Sequence, residues 1–591
     1  ATNFVGFDVA YRQQSYDHFA AEDDRLTLKY GVDLNEGATN VSVMYDYYDR
    51  DAIKASEDPR WGNSDHRGLI PADSLWANDS SFNNRYSGKW AQLDMRGRTD
   101  YSDSAGEMQI IPIGDPRCDR SDSKDTGYGT CLAVDTTDMA NGEYYINPGQ
   151  IRDYRGQLER DNLFVFINHE MSDGKELFAE IGSYSSEYSR NKEPAGDFST
   201  ALLELGSDYY YSAAIGLTAD NSSSRKNIRI DNWRPDIGPR VINVEKETYR
   251  YLVGLRGTTD SGWDWESAVL YSKADSEDET NNRLSNSLLQ AGLNGTTAAT
   301  AINIFSSDVK TALAPAIVDV FRNDSSSLSS IDFKASNPEV MMAPAGPVAM
   351  VYGFEYRKEA YRDNRDPRLD GTIQFTSLVT GLGFPFVGDV LGSSPTADTA
   401  GKRTTASAFV ELQLPLTENI DTQIAVRHES PDDTDSSTVG KFALGWDIHE
   451  DLLIRASAST SFRVPNLIQQ NQLYVPRQGS IDDAVGEYVG ANDPLDDRYS
   501  MQSFRLLNPN LTPETSTNTS VGIVYSPSII DGLTVTFDKW EISKEDTIVL
   551  LGRTNALVAD LLLRIEHGAS NCAGFNNPNV VRDANPGYSA E

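Results

Sequence analysis

Long apolar runs are missing from this 591-residue chain. The nearest approach, Leu557–Ile565, is interrupted by Asp560 and Arg564, so no segment reaches the roughly 20 apolar residues of a membrane helix. That excludes crossing a bilayer by helices but not by strands, which cross in about ten alternating residues. Basic charge is also short: 52 Lys and Arg against 88 Asp and Glu leave a net charge of −36. Nucleic acid is a poor partner for such a chain, because phosphate binding needs clustered cations. Histidine is rare, and His18, His66, His169, His428, His449 and His567 show no metal-binding spacing. GxSxG, GxGxxG and P-loop patterns are absent too, so no catalytic residue, metal site or cofactor is assigned and the chain is not read as an enzyme. The opening ATNFVGF lacks the charged and apolar regions of a secretion signal. The numbered chain is therefore expected to start inside a longer protein.

Cysteine is scarce as well: Cys118, Cys131 and Cys572. Cys118 and Cys131 flank a polar segment that a disulfide would stabilise by roughly 3 kcal/mol, the alternative being two free thiols. The pairing implies an oxidising compartment. Cys572 has no assigned partner.

What the chain has in quantity is alternation. Hydrophobic residues are 39% and aromatics 10%, too many for disorder. Leu452–Phe462 (LLIRASASTSF) sets Ile454, Ala456, Ala458 and Phe462 against Arg455, Ser457, Ser459 and Ser461, the period of a strand. Similar segments are predicted at 3–12, 25–34, 41–47, 160–171, 176–188, 248–257, 263–273, 331–335, 348–357, 405–414, 421–429, 441–449, 520–525 and 533–542, fifteen strands in all. A helix is predicted over Thr554–His567, with Thr554 and Gly568 as caps, and a helix-like stretch at SDVKTALAPAIVDVF. Connections alternate: long aperiodic segments such as 55–158 follow odd strands, and shorter turns such as NEGAT and SDGK follow even ones. One rim with long loops and one with short turns is what an antiparallel outer-membrane barrel requires. Soluble sandwiches and propellers have no reason to keep such asymmetry. In hydrocarbon a sheet must also close to pair its backbone, and single-chain bacterial barrels use even strand counts, so further strands are expected beyond residue 591.

Several segments carry a family resemblance: SFRVPN (461–466), LNPNLTPETSTNTSVGIVYSP (507–527), YDYYDRDAI (45–53), YGFEYRKE (352–359), FVELQLPL and IAVRHE. Together and in this order they resemble TonB-dependent outer-membrane receptors. The resemblance implies an all-β, antiparallel transmembrane barrel of the 22-stranded type around a separate plug, of which residues 1–591 hold an incomplete barrel domain with its first strand near 3–12 and its fifteenth near 533–542. By the same comparison the plug precedes residue 1 and about seven strands follow residue 591. The implied function is energy-coupled import of a scarce nutrient: extracellular loops capture the ligand, the plug rearranges, and the TonB complex supplies energy. Implied partners are outer-membrane lipid, the TonB complex through the plug, a small-molecule or oligosaccharide ligand, and a possible surface lipoprotein. The alternatives are a passive porin or surface adhesin on the same barrel, and a secreted soluble β-rich carbohydrate-binding protein.

Ligand-binding candidates are the aromatics and arginines of the long loops: Trp61, Arg463, Asn466, Tyr474, Arg477 and Tyr499. Aromatics stack on sugars or planar ligands, and Arg pairs with anions. Each has a plainer reading, as an interfacial girdle residue or as loop packing, with Arg463 and Asn466 bracing the rim. Acidic clusters at Asp115, Asp119, Asp122 and Asp125, and at Asp135, Asp138 and Glu143, offer hard oxygen ligands for Ca²⁺ but lack EF-hand spacing. A solvated acidic surface is the stronger reading.

Overall fold

The computed structural model describes all residues except 1–2, 78, 80–81, 84–87, 95–106, 135–143, 197–202, 215–227, 232, 377–382, 473, 486–497, 509, 568–576, 578 and 582–591. One antiparallel sheet of fifteen strands dominates it, ordered along the sheet as along the chain. The strands are β1 (Gly6–Tyr16), β2 (Phe19–Leu34), β3 (Thr39–Arg50), β4 (Gln157–Glu170), β5 (Glu176–Lys192), β6 (Arg240–Thr258), β7 (Asp264–Leu284) and β8 (Ile317–Ala343). They continue as β9 (Gly346–Arg365), β10 (Thr399–Thr417), β11 (Ile420–Pro431), β12 (Ser437–His449), β13 (Leu452–Arg463), β14 (Glu514–Tyr525) and β15 (Val535–Glu545). All fifteen predicted strands are present, most of them longer than their alternation indicated.

Register explains why the alternation was visible. Val43, Val165, Ile181, Tyr251 and Tyr271 stand side by side across five strands. Trp446, Ile454, Ile523 and Phe537 do the same across four. Ile181, Tyr251, Tyr271, Trp446, Ile523 and Phe537 of these rows are exposed in the isolated chain, as are Val253, Val269, Phe354, Tyr356 and Val521 elsewhere on the sheet. An apolar belt of this extent is the pattern that a transmembrane barrel carries on its outer face. The opposite face carries the charges. Arg455 reaches over Gly522 to Asp538 with bonds of 2.9 and 2.6 Å, and any Cβ at Gly522 would strike that carboxylate. Phe409 covers Gly353 in the same way: a Cβ there would lie 2.7 Å from the ring and 2.6 Å from the Phe333 carbonyl.

Four expectations need correction. The segment 13–24 is strand, not loop: Gln13, Gln14 and Ser15 pair with Asp24, Asp23 and Glu22, leaving only residues 17–18 in the turn. Those positions are polar on both faces, so no hydrophobic period marked them. Connection length is consequently not a strict function of parity, since 432–436 after β11 is shorter than 526–534 after β14. The helix-like stretch is helical only over Val309–Leu313 and Ala314–Ala316, and its IVDVF portion opens β8. Pro315 fits a first turn, and the β-branched run beyond it favours a strand. Lastly, the late helix is Arg553–Glu566, with Gly552 rather than Thr554 in the N-cap position and His567 in the C-cap position.

Candidate functional site

The long connections do not hang separately from the wall. Strands 92–94, 107–112, 124–125 and 130–134 of the first long connection join 203–205 and 228–231 of the next in one six-stranded sheet. Packed on it are α1 (Asn286–Leu293) from the connection after β7 and Phe375, Val387 and Leu391 from the connection after β9. Leu93, Ile110, Leu205, Tyr209, Trp233, Leu289, Phe305, Phe375 and Leu391 share one buried core drawn from all four connections. Backbone bonds cross between them: Gly206 N donates to Leu293 O at 3.0 Å, Ser307 N to Tyr128 O at 3.0 Å, and Asn286 N to Asp389 O at 2.7 Å. The result is a cap with its own hydrophobic core over one end of the wall.

A buried polar hub fastens two of these connections. Asp389 is 0% exposed. Its carboxylate pairs with Arg368 and accepts from Ser285 Oγ at 2.8 Å and Ser287 N at 2.7 Å. Burial of a carboxylate is tolerable only with such a full set of partners. No sequence signal marked this group, whose serine partner Ser285 lies 104 residues away along the chain. A second knot surrounds the disulfide, where Cys118 is bonded to Cys131. Arg117 clamps Asp115 at 2.8 Å and lies 5.4 Å over the Tyr144 ring, whose hydroxyl donates to Asp115 at 2.7 Å. The Arg117 guanidinium holds the Asp115 carboxyl well below the usual carboxylate range. Asp122 is likewise paired, with Arg120 at 2.9 Å. Among the described residues no cluster of potential ligands is arranged to hold a metal; Asp135, Asp138, Glu143 and Cys572 lie outside the described residues.

The six candidate ligand contacts separate into distinct settings. Trp61 is 53% exposed and meets His66 edge-on at 4.9 Å. Tyr474 opens the hairpin of 474–482 and 498–506. It is 45% exposed and belongs to a chain of rings: Tyr474 to Phe504 at 6.0 Å, Phe504 to Phe386 at 4.8 Å, and Phe386 to Phe384 at 5.6 Å. This cluster ties the hairpin to the cap, and Phe504, which the sequence reading passed over, is its most exposed ring. Beside it is a small cavity of about 50 Å³ lined by Asp370, Gln374, Tyr474 and Pro476. Arg477 donates to Pro395 O, Pro476 O and Thr396 Oγ1 at 2.7, 2.7 and 2.9 Å, which makes it a brace between loops. Arg463 pairs with Glu514 across the tops of β13 and β14. Asn466 caps α2 (Leu467–Asn471) in a reciprocal capping box with Gln469. Tyr499 pairs with Ile481 in the hairpin register; its side chain lies outside the described atoms.

Inside the wall, ion pairs run from strand to strand. Near the short-turn end Arg256 bonds Glu176 at 2.6 Å, and Lys334 bonds Glu266 at 2.9 Å, around a cleft of about 370 Å³. The inner face of the wall is thus polar and lined by charges beneath the loop cap.

Comparison with solved structures finds likenesses at low identity. The siderophore receptor PirA from Acinetobacter baumannii is 12% identical, with a TM-score of 0.46, 92% of this chain covered and 52% of that one. The ferric enterobactin receptor PfeA from Pseudomonas aeruginosa is 13% identical, with a TM-score of 0.43 and coverages of 91% and 53%. The RagAB peptide transporter is 9% identical, with a TM-score of 0.40 and coverages of 90% and 45%. The chain thus spans about half the length of the structures it matches. No curated protein matches it. The family model described as TonB dependent receptor-like, beta-barrel matches residues 192–561, well over half of the sequence. With its fifteen-stranded wall, apolar outer belt and charged interior, the chain belongs to the TonB-dependent receptor β-barrel family.

Proposed function

We propose that this chain is the ligand-capturing barrel of an energy-coupled importer in a bacterial outer membrane. The observation that carries this reading is the fusion of four long connections into one cored cap above a charge-lined interior. Ligand is taken at the mouth, where Tyr474 and Phe504 offer exposed rings backed by the buried Phe386 and Trp61 forms a second aromatic site. Arg463, Asn466 and Arg477 support that mouth by holding loop ends together. In this reading the apolar belt contacts outer-membrane lipid, a plug domain gates the interior, and the TonB complex supplies energy.

The test is uptake. Cells carrying the full-length receptor are offered labelled ferric siderophores, cobalamin and oligosaccharides, with and without a functional TonB complex. Accumulation of one class that requires both receptor and TonB is expected. Uptake that persists without TonB would mean a passive porin instead, and recovery of the native protein in detergent-free buffer would remove the membrane altogether.

A further inference from the structure

Where the wall meets the cap, cations are gathered in a way the fold does not need. Lys192 ends β5 and Arg240 begins β6, and the two stand directly opposite each other in register. Like charges in that position destabilise a sheet. Arg190, on the same face of β5 as Lys192, spends its guanidinium on the Asp153 carbonyl, at 2.9 Å. Among the described residues Arg240 donates only to the Glu193 carbonyl, at 2.8 Å. The Glu193 carboxylate is already taken by Arg152 through one oxygen, at 2.8 Å.

Arg283 completes the group. A bulge in β7 between Thr280 and Arg283 places Asn282 in the left-handed region at φ 55°, anchored by its side-chain amide to the Pro239 carbonyl at 2.9 Å. Bulges re-aim the side chain that follows. Arg283 is only 9% exposed; among the described residues it has one bond, to Leu391 O at 3.2 Å, and its Nε meets no acceptor. Burial, with Arg240 nearby, pushes its guanidinium down to about 10. Burial and the neighbouring arginines also push the Lys192 ammonium down. The site is clear of the lipid belt: Arg240 lies nine residues beyond Tyr249, roughly 30 Å along the strand.

We infer that Lys192, Arg240 and Arg283 form a binding site for a carboxylate or phosphate group, at the inner junction of wall and cap. A buried guanidinium whose Nε lacks an acceptor offers a charge-assisted donor, and an anion bound there would also relieve the Lys192–Arg240 repulsion. The inference deepens the import reading by assigning an anionic group to the ligand.

The experiment uses the full-length receptor in detergent at constant ionic strength, titrated calorimetrically with inorganic phosphate and with citrate against a chloride background. Saturable binding of at least one is expected, and which of the two binds tells phosphate from carboxylate. The R283Q and R240Q variants should bind about tenfold more weakly or worse. K192E guards against a folding artefact: removing a repelled cation should raise the melting temperature while abolishing anion binding, an outcome no purely structural role predicts. Absence of saturable binding to the wild type, or unchanged binding in folded K192E, overturns the site. TonB-dependent uptake is measured separately, so the import reading can fail or stand independently of this result.

Discussion

The wall and the cap of this chain solve opposite problems. Wall strands leave their large apolar residues exposed, with Val253 and Val269 each half-exposed, and bury polar ones such as Asp46 and Ser42 at 3%. The cap does the reverse, with Leu93, Ile110, Tyr209 and Phe305 at 0%. On the proposed reading lipid takes the place of a core for the wall, whereas the cap must build one in water. Stability should therefore respond to different substitutions in the two regions.

The strongest way to break the comparison is inside the cap. Phe305→Ala or Trp233→Ala should cost about 3–5 kcal/mol and release the cap to proteolysis, while the heat-modifiable gel mobility of the barrel is kept. Loss of the barrel along with the cap would show that the two regions are one cooperative unit. Next in size is the disulfide. Replacing Cys118 and Cys131 by serine should cost roughly 3 kcal/mol, again confined to the cap. Reducing agent should reproduce the effect in the wild type and do nothing further to the double variant.

The same contrast decides what was legible in the sequence. A wall strand is coded locally: Tyr249, Tyr251, Val253 and Leu255 alternate with polar neighbours, so residues 248–257 can be recognised with no knowledge of their partners. The cap is coded by distance. Leu93, Leu205, Leu289 and Leu391 meet from four separate connections, each in a short or irregular element too brief to show a period. Asp389 looks like any loop aspartate until Ser285 and Arg368 close around it. Arg477 illustrates the limit for sites: residue type pointed to ligand binding, and only its three bonds reveal a brace. Family motifs such as SFRVPN were legible because they sit where wall strand and loop join, where Arg463 pairs with Glu514 and Asn466 caps a helix.

On the wall itself, the expected effect is somewhat smaller and depends on the medium. Val253→Arg, in the middle of the belt, should cost about 2–4 kcal/mol for the barrel folded into a bilayer. Leu252, one residue away on the interior face, should accept arginine with little loss in the same refolding assay. Equal penalties at both positions would mean that the belt does not face lipid.

The smallest effect separates the wall from its loops by pH. The Arg463 guanidinium, with help from the Ile548 amide, lowers the Glu514 carboxyl from 4.5 to about 2. A depressed carboxylate contributes stability that is fully present above its unfolded value and is lost as pH falls through the folded one. The latch between 463, 514 and 548 should therefore hold at pH 5, weaken below about 4.5 and open near 2. Hydrogen exchange of segment 546–552, read at each pH against Glu514→Gln so that intrinsic exchange cancels, should show a protection ratio that collapses only over that window. In Arg463→Gln the collapse should move up toward 4.5, since the largest cause of the depression has been removed. A ratio that stays flat from pH 7 to 2 would mean that the Ile548 amide draws no protection from the carboxylate, and that the loop is held by the wall alone.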